Sequence, residues 1–391
     1  MSARFVDAAV PVFSLVEDPL LRLQRAVRFA PPKGFGAIRR SVGFILISWV
    51  PIMVWAAMSG YLQSDRSDPI LRHLGVHVRC LLAIPLMILS EPLANWVIGA
   101  IVGNFVPSGL IRSEDRDRFA GVLKSVERWR DSSVVWIVMV AMVGLNAWLA
   151  SRVWVNDDAD ALTWADGATT LDFGGAWGLF VVRPLFLLLL LVWLWRLMLT
   201  WVLLRKISRL ELQLVPSHPD RVGGLGFLEF HSAAFGLVVL AISSVVCAGV
   251  AHQILSHGAT LKQFQIPLLV MVGLMVLLFL LPLTSFQSRL RRAHLRARFQ
   301  YGTLAGRHVR ALHERWVEGK KVEDDILSAP EIGPAADVAT LYGMGTQMKF
   351  APIGKVQIGT IVVPALLPVI VLIGTEVPIT EVLLMLLQML T

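Results

Sequence analysis

Six long apolar stretches divide the chain, and each is long enough to cross a lipid bilayer. An α-helix rises ~1.5 Å per residue, so about 20 apolar residues cover the ~30 Å hydrocarbon core of a membrane. The expected fold is therefore an all-α, polytopic bundle of transmembrane helices. The pattern predicts spans over 41–62, 76–106, 133–154, 179–204, 231–255 and 266–286.

A last apolar region, 356–391, is interrupted around Gly374, Glu376 and Pro378. Proline lacks a backbone donor, and it ends or bends a helix. The region therefore predicts two short helices, which form either an apolar hairpin or a seventh and an eighth span.

The composition agrees with a membrane setting. Hydrophobic residues make up 55% of the chain and charged residues 16%, whereas soluble domains carry about 25% charged residues. The formal net charge is +8, but lysine and arginine of membrane proteins collect in cytoplasmic loops. We therefore expect lipid, and not nucleic acid, as the surroundings. Cys80 and Cys247 lie in apolar stretches and predict packing roles, and no metal or cofactor is indicated.

Charge alternates along the connections and predicts the orientation. Segments 1–40, 107–132 and 287–355 are rich in arginine and lysine, whereas 155–178 carries aspartates and no basic residue. Because basic loops stay in the cytoplasm, the N-terminus is expected there. The chain then divides into a cytoplasmic N-terminal segment (1–40), a six-helix bundle (41–286), a basic cytoplasmic arm (287–355) and the terminal apolar region.

Three cytoplasmic helices are also predicted. Asp18 and Pro19 are typical of a helix N-cap and first position, and Ser113 is a candidate N-cap for a helix over 113–131. The arm is expected to be helical and broken near Gly302 and Gly306.

Polar residues fall inside the predicted spans. Glu91 is the sixteenth residue of the 31-residue span 76–106, and a charge at that depth needs a partner. Arg196 reaches a similar depth, so the sequence predicts a pair between Glu91 and Arg196. The pair would either hold helices together or line a transport path. Alternatively, Arg196 extends to the headgroups. A polar layer is predicted from Glu91, Asn95, Asn146, Arg196 and Ser243, with Ser244 beside it.

A second candidate site lies at the opposite ends of the spans. Arg79, Arg152 and Arg183 lie near the predicted outer face, where basic residues are unusual. They could attract an anion into an outer vestibule, or they could pair with the aspartates of 155–178.

The string His218-Pro219-Asp220-Arg221-Val222-Gly223-Gly224-Leu225-Gly226-Phe227 precedes the fifth span. Its glycines permit positive φ, so the turn could present amides to an anion. His218 and Asp220, with Glu229 and His231, could instead bind a metal. A third interpretation is a turn capped by Asp220 that packs beneath the bundle.

This string, followed by two spans, a basic arm and a proline-containing apolar tail, resembles multi-pass bacterial inner-membrane proteins that carry the same H-P-D-x-x-G-G-L-G-F motif. The resemblance covers residues 205–391 best. It implies a bacterial inner membrane, and it assigns no activity and no catalytic residue.

Three functions fit the sequence. Costly intramembrane polar residues favour a channel-like or transporter-like bundle for a small ion or solute. A non-catalytic subunit or sensor, acting as a homo-oligomer or with a partner membrane protein, is the second. The third is an intramembrane enzyme around His218 and Asp220. The chain contains no G-x-x-x-x-G-K-[ST], H-E-x-x-H or G-x-S-x-G motif.

Overall fold

The computed structural model describes residues 13–62, 70, 73–154, 172–319 and 332–376. Within these ranges the fold is an all-α bundle without strands, as predicted. Seven helical segments are long and apolar enough to cross a membrane. Its α-helices are α1 (Pro19–Ala26), α2 (Ala37–Ser48), α3 (Val50–Met58), α4 (Leu74–His77), α5 (Ile84–Asn104), α6 (Arg116–Arg130), α7 (Ser133–Trp154), α8 (Phe173–Trp177), α9 (Arg183–Ile207), α10 (Gly236–His257), α11 (Leu261–Leu280), α12 (Gln287–Trp316), α13 (Ile332–Thr346) and α14 (Lys355–Glu376).

Short segments of other helical types join some of these helices. A π-helical segment, Val78–Ala83, links α4 to α5, and a second, Gly178–Val182, links α8 to α9. The 3₁₀ segments are Ser113–Asp115, Gly226–Ala234 and Leu281–Phe286. The first predicted span is formed by α2 and α3 together, and the second and fourth begin earlier than the apolar pattern indicated.

The terminal apolar region begins as one helix. Helix α14 continues through Pro364 and Pro368 and has the length of a seventh span. It packs against α10 and α11, so it belongs to the bundle. Residues 377–391, which carry the second half of the predicted hairpin, lie outside the described residues.

Two local predictions are wrong. Helix α12 runs without interruption past Gly302 and Gly306, because packing against α13 outweighs the weak helix preference of two glycines. Ser113 does not cap α6; it begins the 3₁₀ segment, and Arg112 and Asp115 hold the two N-cap positions without a side-chain cap bond.

Part of the described N-terminal segment, residues 13–21, contributes to the core of the bundle. Asp18 caps α1 by accepting a hydrogen bond from the Leu21 amide at 3.0 Å, as its sequence position predicted. Leu15, Val16 and Leu21 are nearly inaccessible and belong to the main hydrophobic core with residues of α5 and α9. These side chains therefore attach the described part of the segment to the second and fourth spans.

Candidate functional site

A buried cluster of four charged side chains joins the N-terminal segment to three spans. Arg196 of α9 donates from Nη1 and Nη2 to Glu91 Oε1, each at 3.1 Å. It also donates to Asp18 Oδ2, from Nη2 at 2.6 Å and from Nε at 3.1 Å. Arg40 of α2 donates to the other oxygen of Glu91. Each of the four side chains is at most 2% exposed, and two arginines with two carboxylates give no net charge.

The cluster lies level with the start of the first span. Arg40 is in the first turn of α2, so the groups that it contacts lie level with the start of the first span. Glu91 is 17 residues after Leu74, which places it ~26 Å along its helix. Glu91 is the eighteenth of the 31 helical residues Leu74–Asn104, so it lies near the middle of the second helical segment, as the apolar pattern predicted.

Glu91 and Arg196 meet in a buried contact between helices. Arg196 does not extend toward headgroups, since its guanidinium is buried and lies 4.9 Å from the centre of the Trp193 ring. Trp193 in turn donates to the Met87 carbonyl at 3.0 Å. These contacts fix the cluster as a connection between the second and fourth spans.

The other residues of the predicted polar layer do not bond to the charge cluster. Asn95 accepts a hydrogen bond from Ser14 at 2.7 Å, one turn from Glu91. Ser243 donates to the Ala365 carbonyl of α14 at 2.6 Å, and Ser244 bonds within its own helix. Asn146 is exposed on α7. Among the described residues these side chains therefore do not form one contacting group with Glu91 and Arg196, because hydropathy gives depth and not the direction of a side chain.

At the opposite end of the spans, two arginines line a cavity of about 120 Å³, hereafter the arginine cavity. This volume holds several water molecules or a small anion. Arg79 comes from the second span and Arg183 from the fourth, and Gly249 closes the cavity from α10. Two stacked imidazoles, His73 and His252, complete its wall with ring centres 5.1 Å apart.

The two cavity arginines form no ion pair with the described residues. The Arg79 Nε is buried without a hydrogen-bond acceptor, although its guanidinium lies 5.6 Å from the centre of the Phe186 ring. Asp172, at the end of the acidic connection, is exposed and is not their partner. The other aspartates predicted to pair with them lie outside the described residues. Arg152 takes a different position, over the Trp148 ring at 5.3 Å.

Both π-helical segments meet at this cavity. Arg79 lies within Val78–Ala83, and Arg183 directly follows Gly178–Val182. A π turn inserts an extra residue and rotates the following side chains, and such turns recur at functional sites. Apolar periodicity gave no sign of them. The backbone thus departs from regular α-helix twice, both times beside an arginine that lines the arginine cavity.

The His218–Phe227 string forms a turn whose amides are taken by its own aspartate. Asp220 accepts from the amides of Val222 at 2.9 Å, Gly224 at 3.0 Å and Gly226 at 2.8 Å. Burial raises the pKa of the Asp220 carboxyl, but these donors and His218 outweigh it, so that the pKa lies below the ordinary value. The anion that these amides bind is therefore internal, and the interpretation of a capped turn is the one that the geometry supports.

Backbone conformation and lack of space explain why glycine occupies three positions of this turn. Gly223 and Gly224 have φ of +71° and +96°, and a Cβ on Gly226 would lie 3.0 Å from the Asp220 Cβ. The turn is also bound to the segment before α14, since the Lys349 amide donates to the Arg221 carbonyl at 2.7 Å.

The metal hypothesis for this string finds no geometric support. His231 is fully buried beside Phe235, and neither ring nitrogen has a hydrogen-bond partner in the part of the chain that is described. Glu229 instead accepts from Gln357 at 3.2 Å. Across the described ranges, no three His, Cys, Asp or Glu side chains form a group that could hold a metal ion.

Comparison of the chain with protein-family models, with curated proteins and with solved structures finds no match. The arginine cavity is thus the candidate binding site on the strength of its own chemistry: a small cavity between three spans, lined by two arginines that have no carboxylate partner among the described residues.

Proposed function

We propose that this chain is a channel-like or transporter-like protein of a bacterial inner membrane, with a cytoplasmic N-terminus, that takes a small inorganic anion into the arginine cavity. The observation that carries the proposal is the pair of arginines without described carboxylate partners. A cation held away from bulk water is costly unless an anion compensates it. The loop charges support the orientation, and the motif resemblance supports the bacterial membrane.

The charge cluster has a different role in this proposal. Glu91 and Arg196 form a buried ion pair, so in this proposal they stabilise the bundle and do not line the path. Three aromatic rings pack in the core of the bundle: Trp193 of α9, Phe235 directly before α10 and Phe279 of α11. In this proposal, passage of an anion through the bundle requires these rings to move.

The test is anion binding to the purified protein in lipid nanodiscs. Chloride, nitrate and phosphate are titrated and followed by calorimetry. Arg79→Gln and Arg183→Gln should each weaken binding by roughly 10- to 100-fold, because each removes a charged donor. Arg152→Gln is the matched control, since it removes an arginine at the same end that does not line the cavity.

A steric variant separates loss of charge from loss of fold. A Cβ on Gly249 would meet no atom within 4 Å, so Gly249→Val should fold normally and occupy the cavity. It should abolish anion binding and anion flux into liposomes while leaving the melting temperature near that of the wild type. Equal binding by the wild type, Arg79→Gln and Gly249→Val would overturn the proposal.

A further inference from the structure

Helix α7 is the least buried of the candidate spans. Only 6% of the apolar window in its helical segment is buried, against 22 to 56% in the other six. It contacts α9 and Gly178–Val182, the π segment that precedes α9. Its opposite face is apolar and exposed between Ser133 and Arg152.

Asn146 lies on this helix among exposed apolar residues. Val138, Met142, Leu145 and Leu149 are 48 to 54% exposed. With Asn146 they follow the spacing of three and four residues that forms a packing seam between two helices. A helix that faced only lipid would have no need of an amide at this position.

The depth of Asn146 makes its exposure costly. It is eight residues before Trp154 and ten after Trp136, and tryptophans at both ends are typical of the two membrane interfaces. The nearer end is ~12 Å away, beyond the reach of a short side chain. The amide forms no hydrogen bond with the described residues, so lipid would leave both its donor and its acceptor unsatisfied.

The chemistry of the amide identifies its partner. A carboxamide carries both a donor and an acceptor, so two copies related by a two-fold axis can each donate to the other. We propose that α7 pairs with α7 of a second copy of this chain through the seam of Val138, Met142, Leu145, Asn146 and Leu149. This interface is on a different face from the arginine cavity, so it stands independently of the proposed function.

Cysteine cross-linking in native membranes tests the seam. Met142→Cys should form an oxidised dimer of the chain. Val140→Cys is the matched control, because it is equally apolar and 60% exposed but points ~200° away around the helix. The native cysteines are both buried. Equal cross-linking at both positions, or a cross-link to a different polypeptide at Met142→Cys, would overturn the proposal.

The amide itself is tested by two substitutions. In liposomes of increasing lipid-to-protein ratio, Asn146→Val should weaken dimerisation by roughly 3- to 30-fold, the range for hydrogen bonds between membrane helices. Asn146→Gln keeps the donor and the acceptor and should stay within a factor of three of the wild type. Because Asn146 is at the surface, both variants should keep the wild-type melting temperature. An unchanged dimer constant for Asn146→Val would exclude pairing through the amide.

Discussion

At the scale of single residues, His231 is a polar group in an apolar setting. Its imidazole is buried against Phe235 and lacks a hydrogen-bond partner among the described residues. Sequence reasoning offered a metal site as one alternative for His231, because spacing shows which residues are close in the chain and not which way their side chains point. A buried imidazole without a hydrogen-bond partner lowers the stability of the folded protein, so stability does not explain why a histidine occupies this position.

We expect His231→Leu to increase the free energy of unfolding by about 1–3 kcal/mol, the cost of a buried group without a partner. Unfolding by heat in detergent measures this change. His313→Leu, on the exposed part of α12, is the control and should shift stability by less than ~0.5 kcal/mol. A loss of stability at His231→Leu would mean that the imidazole has a partner.

Asp220 gives stability that depends on pH. Its pKa is lowered in the folded protein, so its contribution is fully present above the unfolded pKa of ~3.9 and is lost as pH falls through the folded pKa. Asp220→Asn should reduce the free energy of unfolding by about 1–3 kcal/mol at pH 7, and the difference from the wild type should shrink below pH 4. Asp117→Asn, at an exposed position of α6, is the control and should change the free energy of unfolding at pH 7 by less than ~0.5 kcal/mol.

At the scale of elements, the apolar pattern predicted lengths well and contacts poorly. The span predicted over 133–154 begins at Ser133 as predicted and is helical to Trp154, where the described residues end. Arg40 was assigned to a loop because it is charged, yet it lies inside α2 and is buried. Its partner Glu91 is 51 positions away, and no local pattern records a contact of that range.

The charge cluster should behave as one thermodynamic unit. Glu91→Gln alone leaves two buried arginines with one carboxylate and should destabilise the protein by about 3–5 kcal/mol. In the double variant Glu91→Gln/Arg40→Met, the remaining Asp18–Arg196 pair is neutral, and we expect most of that loss to be recovered.

The comparison of the single and double variants is made by thermal unfolding in the same detergent. Arg39→Met combined with Glu91→Gln is the control, because Arg39 is exposed and should restore nothing. A double variant as unstable as the sum of its single variants would show that the charges are not coupled.

At the scale of the whole molecule, loop charge predicts which end of the bundle faces the cytoplasm. A cysteine at Asp172 should react with a membrane-impermeant maleimide on intact cells, and a cysteine at Arg298 should react only after the cells are opened. Both positions are exposed, and the native cysteines are buried. The opposite labelling pattern would reverse the orientation and place the arginine cavity on the cytoplasmic side.

The cluster between Asp18 and Arg196 also sets an order of events during biosynthesis. The two residues are 178 positions apart, so at ~5–20 residues per second the ribosome needs roughly 10–35 s to make the partner of Asp18. Arg40 and Glu91 are made earlier and can pair while the fourth span is still absent. The N-terminal segment is thus among the first parts of the chain to be synthesised and reaches its buried contacts only after the fourth span has entered the membrane.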